Sequence, residues 1–265
     1  MNAMRVLITG CSSGFGRAAA GELTKRGHDV IATARRPESI DDLDVAQCVA
    51  LDVNVDDSVA AARATIGPVE AVVNNAGIGG YGPIEHYPLD LARSLFETNF
   101  FGALRVIQAW LPPMREAGFG RIVNVSSVQG FVTSPLGGIY SATKRALEAV
   151  TEAMHFEAGH FGVRTILVEP GFFATEFSAN SKPIEGGPYQ GLVDEWEGAD
   201  SKLLGTDERP GPELVASVIA DVIEADDPPV RVPVGNDAEM VYATRKALDD
   251  REFEATMRQV LDLKW

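Results

Sequence analysis

Short apolar runs rich in β-branched residues alternate along the chain with longer stretches whose apolar positions recur at helical spacing. The short runs are Val6–Thr9, Val30–Ala34, Cys48–Asp52, Ala71–Asn74, Arg121–Ser126, Arg164–Val168 and Val230–Val234. Helical stretches fall near 15–26, 56–66, 89–113, 139–159, 212–224 and 237–262. Strand–helix repetition of this kind predicts a mostly parallel sheet with helices on both faces, and right-handed crossovers make it doubly wound. The expected architecture is one α/β domain over residues 1–265, with about seven parallel strands flanked by helices. Ligands in such folds sit beyond the carboxyl ends of the strands, where strand order reverses.

The rhythm breaks between about 176 and 212, where Gly186, Gly187, Pro188 and Gly191 interrupt any periodicity. An irregular stretch this long is either disordered or functional. Phe177, Tyr189, Leu192 and Trp196 give it apolar bulk, so a substrate lid after the sixth strand is expected. Residues from about 236 to 265 read as a C-terminal helical extension.

Charge narrows the partners. Lys plus Arg number 23 against 38 Asp plus Glu, a formal net charge of −15. Nucleic-acid binding needs a basic footprint that this chain lacks, and anionic lipid is equally unsuitable. No run reaches the roughly 18 apolar residues of a membrane span. The N-terminal residues lack the features of a signal peptide. Two cysteines, Cys11 and Cys48, cannot build a disulfide framework or zinc cage and read as free thiols in a reducing cytoplasm. His155 and His160 do not share a helix face, so no metal site is expected. The sequon at Asn124 falls on a predicted buried strand and is set aside.

The first strand runs into Thr9-Gly10-Cys11-Ser12-Ser13-Gly14-Phe15-Gly16. Glycines here permit a tight turn and let backbone N–H groups approach a pyrophosphate at the next helix N-terminus. A plain strand-to-helix turn is the competing account. Position after an N-terminal strand and before an amphipathic helix favours nucleotide binding by Gly10, Ser12, Ser13, Gly14, Phe15 and Gly16. The second strand ends in Arg35-Arg36, where an NAD-specific protein usually carries a carboxylate. Guanidiniums suit a 2′-phosphate, so NADP(H) is expected over NAD(H), with Arg35 closest to the strand end. An ordinary surface Arg pair is the alternative.

Tyr140 and Lys144 stand at i and i+4, on one helix face. A nearby ammonium favours a phenolate and lowers the phenol's pKa, making tyrosine a usable acid–base group. Ser127 follows the fifth strand and can donate to a substrate oxygen; a helix-cap serine is the bland reading. Asn99 sits inside an apolar helix, an awkward place for an amide without a task. Asn74-Asn75-Ala76-Gly77 ends the fourth strand, and Pro170-Gly171 ends the sixth just before Phe173 and Thr175.

In order and spacing these motifs resemble the short-chain dehydrogenase/reductase family, over essentially residues 4 to 235. The resemblance implies a Rossmann-type sheet and a catalytic tetrad of Asn99, Ser127, Tyr140 and Lys144. It implies that Lys144 also holds the nicotinamide ribose and that Asn99 supports a water-linked proton relay. Asp52 and Val53 would flank the adenine, Asn75, Ala76 and Gly77 would line the cofactor, and Thr175 would hold the carboxamide, with Pro170, Gly171 and Phe173 beside it. The loop with Arg35-Arg36 is similar to the NADP-preferring branch that includes hydroxysteroid and retinol dehydrogenases. A homodimer or homotetramer is implied in the same way.

The expected activity is hydride transfer between NADP(H) and a carbonyl or secondary alcohol, with Tyr140 protonating the oxygen. Phe131, Leu136, Phe172, Phe177 and Trp196 point to an apolar or aromatic-lined substrate pocket. A nucleotide sensor without chemistry would need neither Tyr140 nor Ser127. A nucleotide-sugar epimerase would carry a longer C-terminal domain and different glycine spacing.

Overall fold

Val6, Leu7 and Ile8 are all fully buried, although successive strand residues face opposite ways. Their strand must therefore be covered on both sides. The computed structural model, which describes residues 3–177, 181–206 and 208–264, shows how. The first half runs β1 (Arg5–Ile8), α1 (Gly14–Lys25), β2 (Asp29–Ala34), β3 (Gln47–Ala50), α2 (Asp56–Ile66) and β4 (Ala71–Asn74). A two-residue strand β5 (Gly80–Tyr81) precedes α3 (Leu89–Phe96) and α4 (Ala103–Ala117). Next come β6 (Gly120–Val125), α5 (Val128–Phe131), α6 (Gly138–Gly159) and β7 (Val163–Pro170). The remainder is β8 (Lys182–Pro183), α7 (Gln190–Trp196), α8 (Ala199–Leu204), α9 (Glu213–Glu224), β9 (Arg231–Val234), α10 (Asn236–Ala247) and α11 (Asp250–Leu261).

Seven strands form one parallel sheet in the order β3-β2-β1-β4-β6-β7-β9. Strand order reverses between β1 and β4, so the loops after those two strands open a crevice at the switch point. On one face Val6, Ile8, Val30 and Val73 pack with Ala19 and Leu23 of α1 and Val215 and Ile219 of α9. On the other, Leu7, Ile31, Val72 and Ile122 pack with Val59 of α2, Val106 and Trp110 of α4, and Met154 of α6. The expected doubly wound sheet of seven parallel strands is what the chain adopts. At the open edge, β9 contains Pro233, which lies opposite Glu169 of β7.

Three expectations change in detail. The helix read near 89–113 is α3 and α4 joined by a π-helical segment, Glu97–Gly102, with α4 running past Pro112 and Pro113 to a left-handed cap at Gly118. The single helix read near 237–262 is broken at Leu248–Asp249, where Asp249 and Glu252 form a reciprocal capping box that starts a new helix. The stretch from 176 to 212 is less irregular than its composition implies, since it holds β8, α7 and α8. β8 pairs with β5, tying this segment to the loop after β4.

Candidate active site

A cavity of about 1210 Å³ opens at the carboxyl ends of the strands and spans the switch point. One end is made of backbone. Gly10 (φ +74°) and Gly14 (φ +57°) turn the chain between β1 and α1. A side-chain carbon at Gly10 would stand 2.9 Å from Ala76 Cα, and one at Gly16 would stand 2.4 Å from Asn75 Nδ2. The loop is laced to the end of β4: Asn75 N and Ala76 N each donate to Thr9 Oγ1 at 3.0 Å, and Asn75 Nδ2 donates to Thr9 O at 2.9 Å and Gly10 O at 3.1 Å. The Ser13 hydroxyl makes no capping bond to α1. Edge-to-face contact of Phe15 with Phe173, at 5.4 Å between centroids, closes this loop against the turn after β7.

Most of the residues singled out for the cofactor line this cavity: Gly10, Ser12, Ser13, Gly14 and Phe15, Arg35, Asp52 and Val53, Asn75, Ala76 and Gly77, and Pro170, Gly171, Phe173 and Thr175. Gly16 and Arg36 do not. Gly16 is a packing glycine beneath Asn75. Arg36 points to solvent, and its carbonyl accepts from Ser39 Oγ at 2.6 Å. Asn99 also stands behind the wall. At 1 % exposure, it accepts from Ile78 N (2.8 Å) and donates to Ile78 O (3.0 Å) and Thr143 Oγ1 (3.1 Å). Its side chain is thus spent on fixing the loop after Gly77 from within the π-helical segment. A π turn placed at a functional loop is a common association.

Ser127, Tyr140 and Lys144 meet on the cavity wall. Ser127 caps α5, accepting from Gln129 N at 3.2 Å, and its hydroxyl reaches Pro170 O at 3.4 Å. The cap reading therefore describes it, while its hydroxyl also faces the cavity. Lys144 Nζ donates to Val125 O at 2.8 Å and lies 5.8 Å from the Tyr140 ring centroid. Rings of Tyr81 and Phe177 flank Tyr140, each at 5.6 Å.

Electrostatics differ from the expectation of a lowered phenol. Burial holds the Tyr140 phenol well above its usual value, Tyr81 adds to this, and only the Ser127 hydroxyl opposes it. Burial also pushes Lys144 down to about 8, with Glu148 one turn along the helix pulling it back. Burial thus acts on both groups, disfavouring the charged form of each. Burial and Tyr81 therefore favour the neutral phenol of Tyr140.

Beneath this wall lies a buried charge cluster. Glu148 accepts from Ser126 Oγ (2.7 Å) and from Arg231 Nη1 (2.9 Å). Arg231 also binds Glu169, whose side chain is fully buried, and Glu152 at 2.7 Å. Arg231 of the edge strand thus clamps the helix of Lys144 to the strand before Pro170.

Several lining residues carried no signal in the sequence. Asp237, at the start of α10, accepts from Phe172 N at 2.8 Å, and its carboxylate fills the space a side chain at Gly171 would need. An acid just after a strand-ending glycine was the only available hint. Phe253, Met257 and Leu261, spaced four apart on α11, form the far wall. Phe172, Phe177 and Trp196 line the cavity as expected, whereas Phe131 and Leu136 do not. Phe131 instead stacks on Tyr242 of α10 at 4.1 Å, and Leu136 occupies a left-handed turn (φ +61°) whose carbonyl accepts from Gly82 N.

Comparison with known proteins places the family. The short chain dehydrogenase family profile matches residues 4–185, and the chain belongs to that family of oxidoreductases. It is 33 % identical over 261 residues to a 3-ketodihydrosphingosine reductase of Bacteroides thetaiotaomicron, covering 96 % of each chain. It is 36 % identical over 254 residues to retinol dehydrogenase 8 of Bos taurus, covering 85 % of this chain and 80 % of that one. Among solved structures, a short-chain dehydrogenase from Streptomyces avermitilis matches with a TM-score of 0.78 at 34 % identity, covering 97 % and 99 % of the chains. One from Burkholderia cenocepacia, solved in complex with NADP, matches with a TM-score of 0.79 at 25 % identity, covering 97 % and 98 %. No helix among the described residues is long and apolar enough to cross a membrane.

Proposed function

We propose that this chain is an NADPH-dependent reductase of an apolar ketone or aldehyde. The carrying observation is Tyr140, a phenol kept neutral by burial on a cavity wall between Ser127 and Lys144. The other end of the cavity fits a dinucleotide. Its turn leaves no room for a side-chain carbon at Gly10 and runs into the uncapped start of α1, which suits a pyrophosphate. Arg35 at the end of β2 then meets the 2′-phosphate as a charge-assisted donor. Asp52 and Val53 border the adenine, and the Pro170–Thr175 turn, braced by Asp237, holds the carboxamide.

Reduced nicotinamide, when bound, supplies the hydride. This chain's residues supply the rest. The Ser127 hydroxyl donates to the substrate carbonyl oxygen and orients it. Tyr140 gives its proton to that oxygen as negative charge develops. The Lys144 ammonium then stabilises the phenolate left behind. A group that enters the reaction protonated suits reduction more than alcohol oxidation. Phe177, Trp196, Leu203, Met257 and Leu261 exclude water and accept an elongated apolar body. The elongated shape agrees with the names of the two relatives above.

The test is oxidation of NADPH and NADH in parallel over apolar ketones and aldehydes of graded length. NADPH-preferred turnover is expected, and Arg35→Asp should weaken NADPH roughly tenfold or more with little change for NADH. Tight NADPH binding without turnover of any carbonyl would overturn the reductase reading, and equal losses for both dinucleotides would remove Arg35 from the phosphate.

A further inference from the structure

Beside the reacting groups stands a second polar set that the proposed chemistry does not use. Tyr81, Gln129 and Ser134 all line the cavity. The Tyr81 ring lies 5.6 Å from the Tyr140 ring, and Gln129 is fixed two residues after Ser127 by its own N–H bond to Ser127 Oγ. Gln129 Oε1 accepts from Ser141 Oγ at 3.3 Å, which turns its amide nitrogen away from Ser141. The Gln129 side chain also stands near enough to the Tyr81 phenol to oppose its upward shift. Burial pushes that phenol up to about 12, so it keeps its hydrogen at neutral pH and can donate it.

Ser134 strengthens the case. Its hydroxyl oxygen is buried and finds no partner among the described residues. Gly137 makes this convergence possible: a side-chain carbon there would stand 2.4 Å from Ser134 Oγ and 2.5 Å from Gln129 Oε1. Buried hydroxyls are ordinarily satisfied, so an orphan on a cavity wall marks a group that a ligand completes. An entirely apolar substrate would leave both Ser134 and the Tyr81 hydrogen unpaired, at the cost of desolvating each.

We infer that Tyr81, Gln129 and Ser134 form a polar subsite adjoining the reacting carbonyl, so that the preferred substrate is an elongated ketone carrying a hydroxyl, amine or second carbonyl on the α or β carbon. The two phenol rings are close enough to engage neighbouring heteroatoms of one chain. Ser141 and Gly137 have positioning roles, the first orienting the Gln129 amide and the second making room. This inference rests on the carbonyl-reductase reading of the same cavity.

The experiment compares a straight-chain methyl ketone with the same ketone carrying a β-hydroxyl, under NADPH. Wild-type kcat/KM should favour the hydroxyketone by about tenfold or more. Tyr81→Phe and Ser134→Ala should each pull that ratio toward unity, an effect that general damage to the fold, lowering both substrates alike, does not produce. Ser134→Ala removes one hydroxyl that has no partner among the described residues and serves should Tyr81→Phe fail to fold. Equal wild-type efficiencies on the two ketones, or a ratio unchanged in both variants, would overturn the subsite while leaving the reductase reading intact. Turnover of neither ketone nor of any carbonyl tested alongside would overturn the reductase reading and the subsite with it.

Discussion

The two ends of the cavity are built from different materials. At the dinucleotide end the wall is largely backbone: glycines at 10 and 14 and the Asn75–Gly77 turn, in two adjacent loops laced together by Thr9. At the substrate end it is side chains from β5, α5, α7, α8, α10 and α11, brought together from Tyr81 to Leu263. Backbone walls fix one shape and tolerate little, because a single added carbon meets main chain. Side-chain walls can be repainted one residue at a time. The division separates what the protein must hold constant from what it can specialise.

The sharpest way to break this comparison acts at the seam between the two ends. Tyr140→Phe removes the proton donor and should lower kcat by roughly a hundredfold to ten-thousandfold for every carbonyl substrate, while NADPH titrated by fluorescence still binds. Substantial activity in that variant would remove Tyr140 from the chemistry. Next in size is Gly10→Ala, which places a carbon 2.9 Å from Ala76 Cα at φ +74°. NADPH affinity should fall by roughly a hundredfold, with the same proportional loss for all substrates; a substrate-dependent loss would show that the two ends are not separable.

A smaller effect is the pH profile. Burial brings Lys144 down to about 8, so its ammonium is present below that pH and disappears above it. Stabilisation of the phenolate goes with it, and kcat/KM for reduction should decline as pH rises through about 8. Glu148→Gln takes away the charge that opposes this shift and should move the decline to lower pH; an unmoved profile would separate Glu148 from Lys144. The smallest effect belongs to the side-chain wall. Met257→Ala enlarges the far end of the cavity and should change preference for chain length by several-fold, read as kcat/KM ratios, with NADPH affinity unchanged.

The same division explains what the sequence disclosed. The phosphate loop, the Asn74–Gly77 turn and the Tyr140/Lys144 pair were legible because each is a local constraint: a glycine where φ is positive, or two side chains one helical turn apart. The inner strands were legible for a related reason, since strands buried on both faces read as apolar runs. The electrostatics were not. Spacing alone places an ammonium near Tyr140, but only the packed structure shows the burial that, with Tyr81 beside it, raises the phenol instead. Asp237 was hidden because its partner, Phe172 N, is 65 residues away. Phe131 was assigned to the pocket on its aromatic character, yet Tyr242 claims its ring. The break at Leu248–Asp249 was written in Asp249 and Glu252, whose capping signature lies inside a continuous helical pattern.

Pro233 in the edge strand has a consequence beyond the site. Val230 and Val234 direct their carbonyls toward β7, so the alternating position 233 presents its backbone outward. A proline there offers no N–H to an approaching strand. The sheet is consequently blunted on its β9 side, and a nascent or partly unfolded copy finds no continuous ladder to extend. One residue that contributes nothing to catalysis thereby helps protect an apolar, seven-stranded core from fibrillar growth.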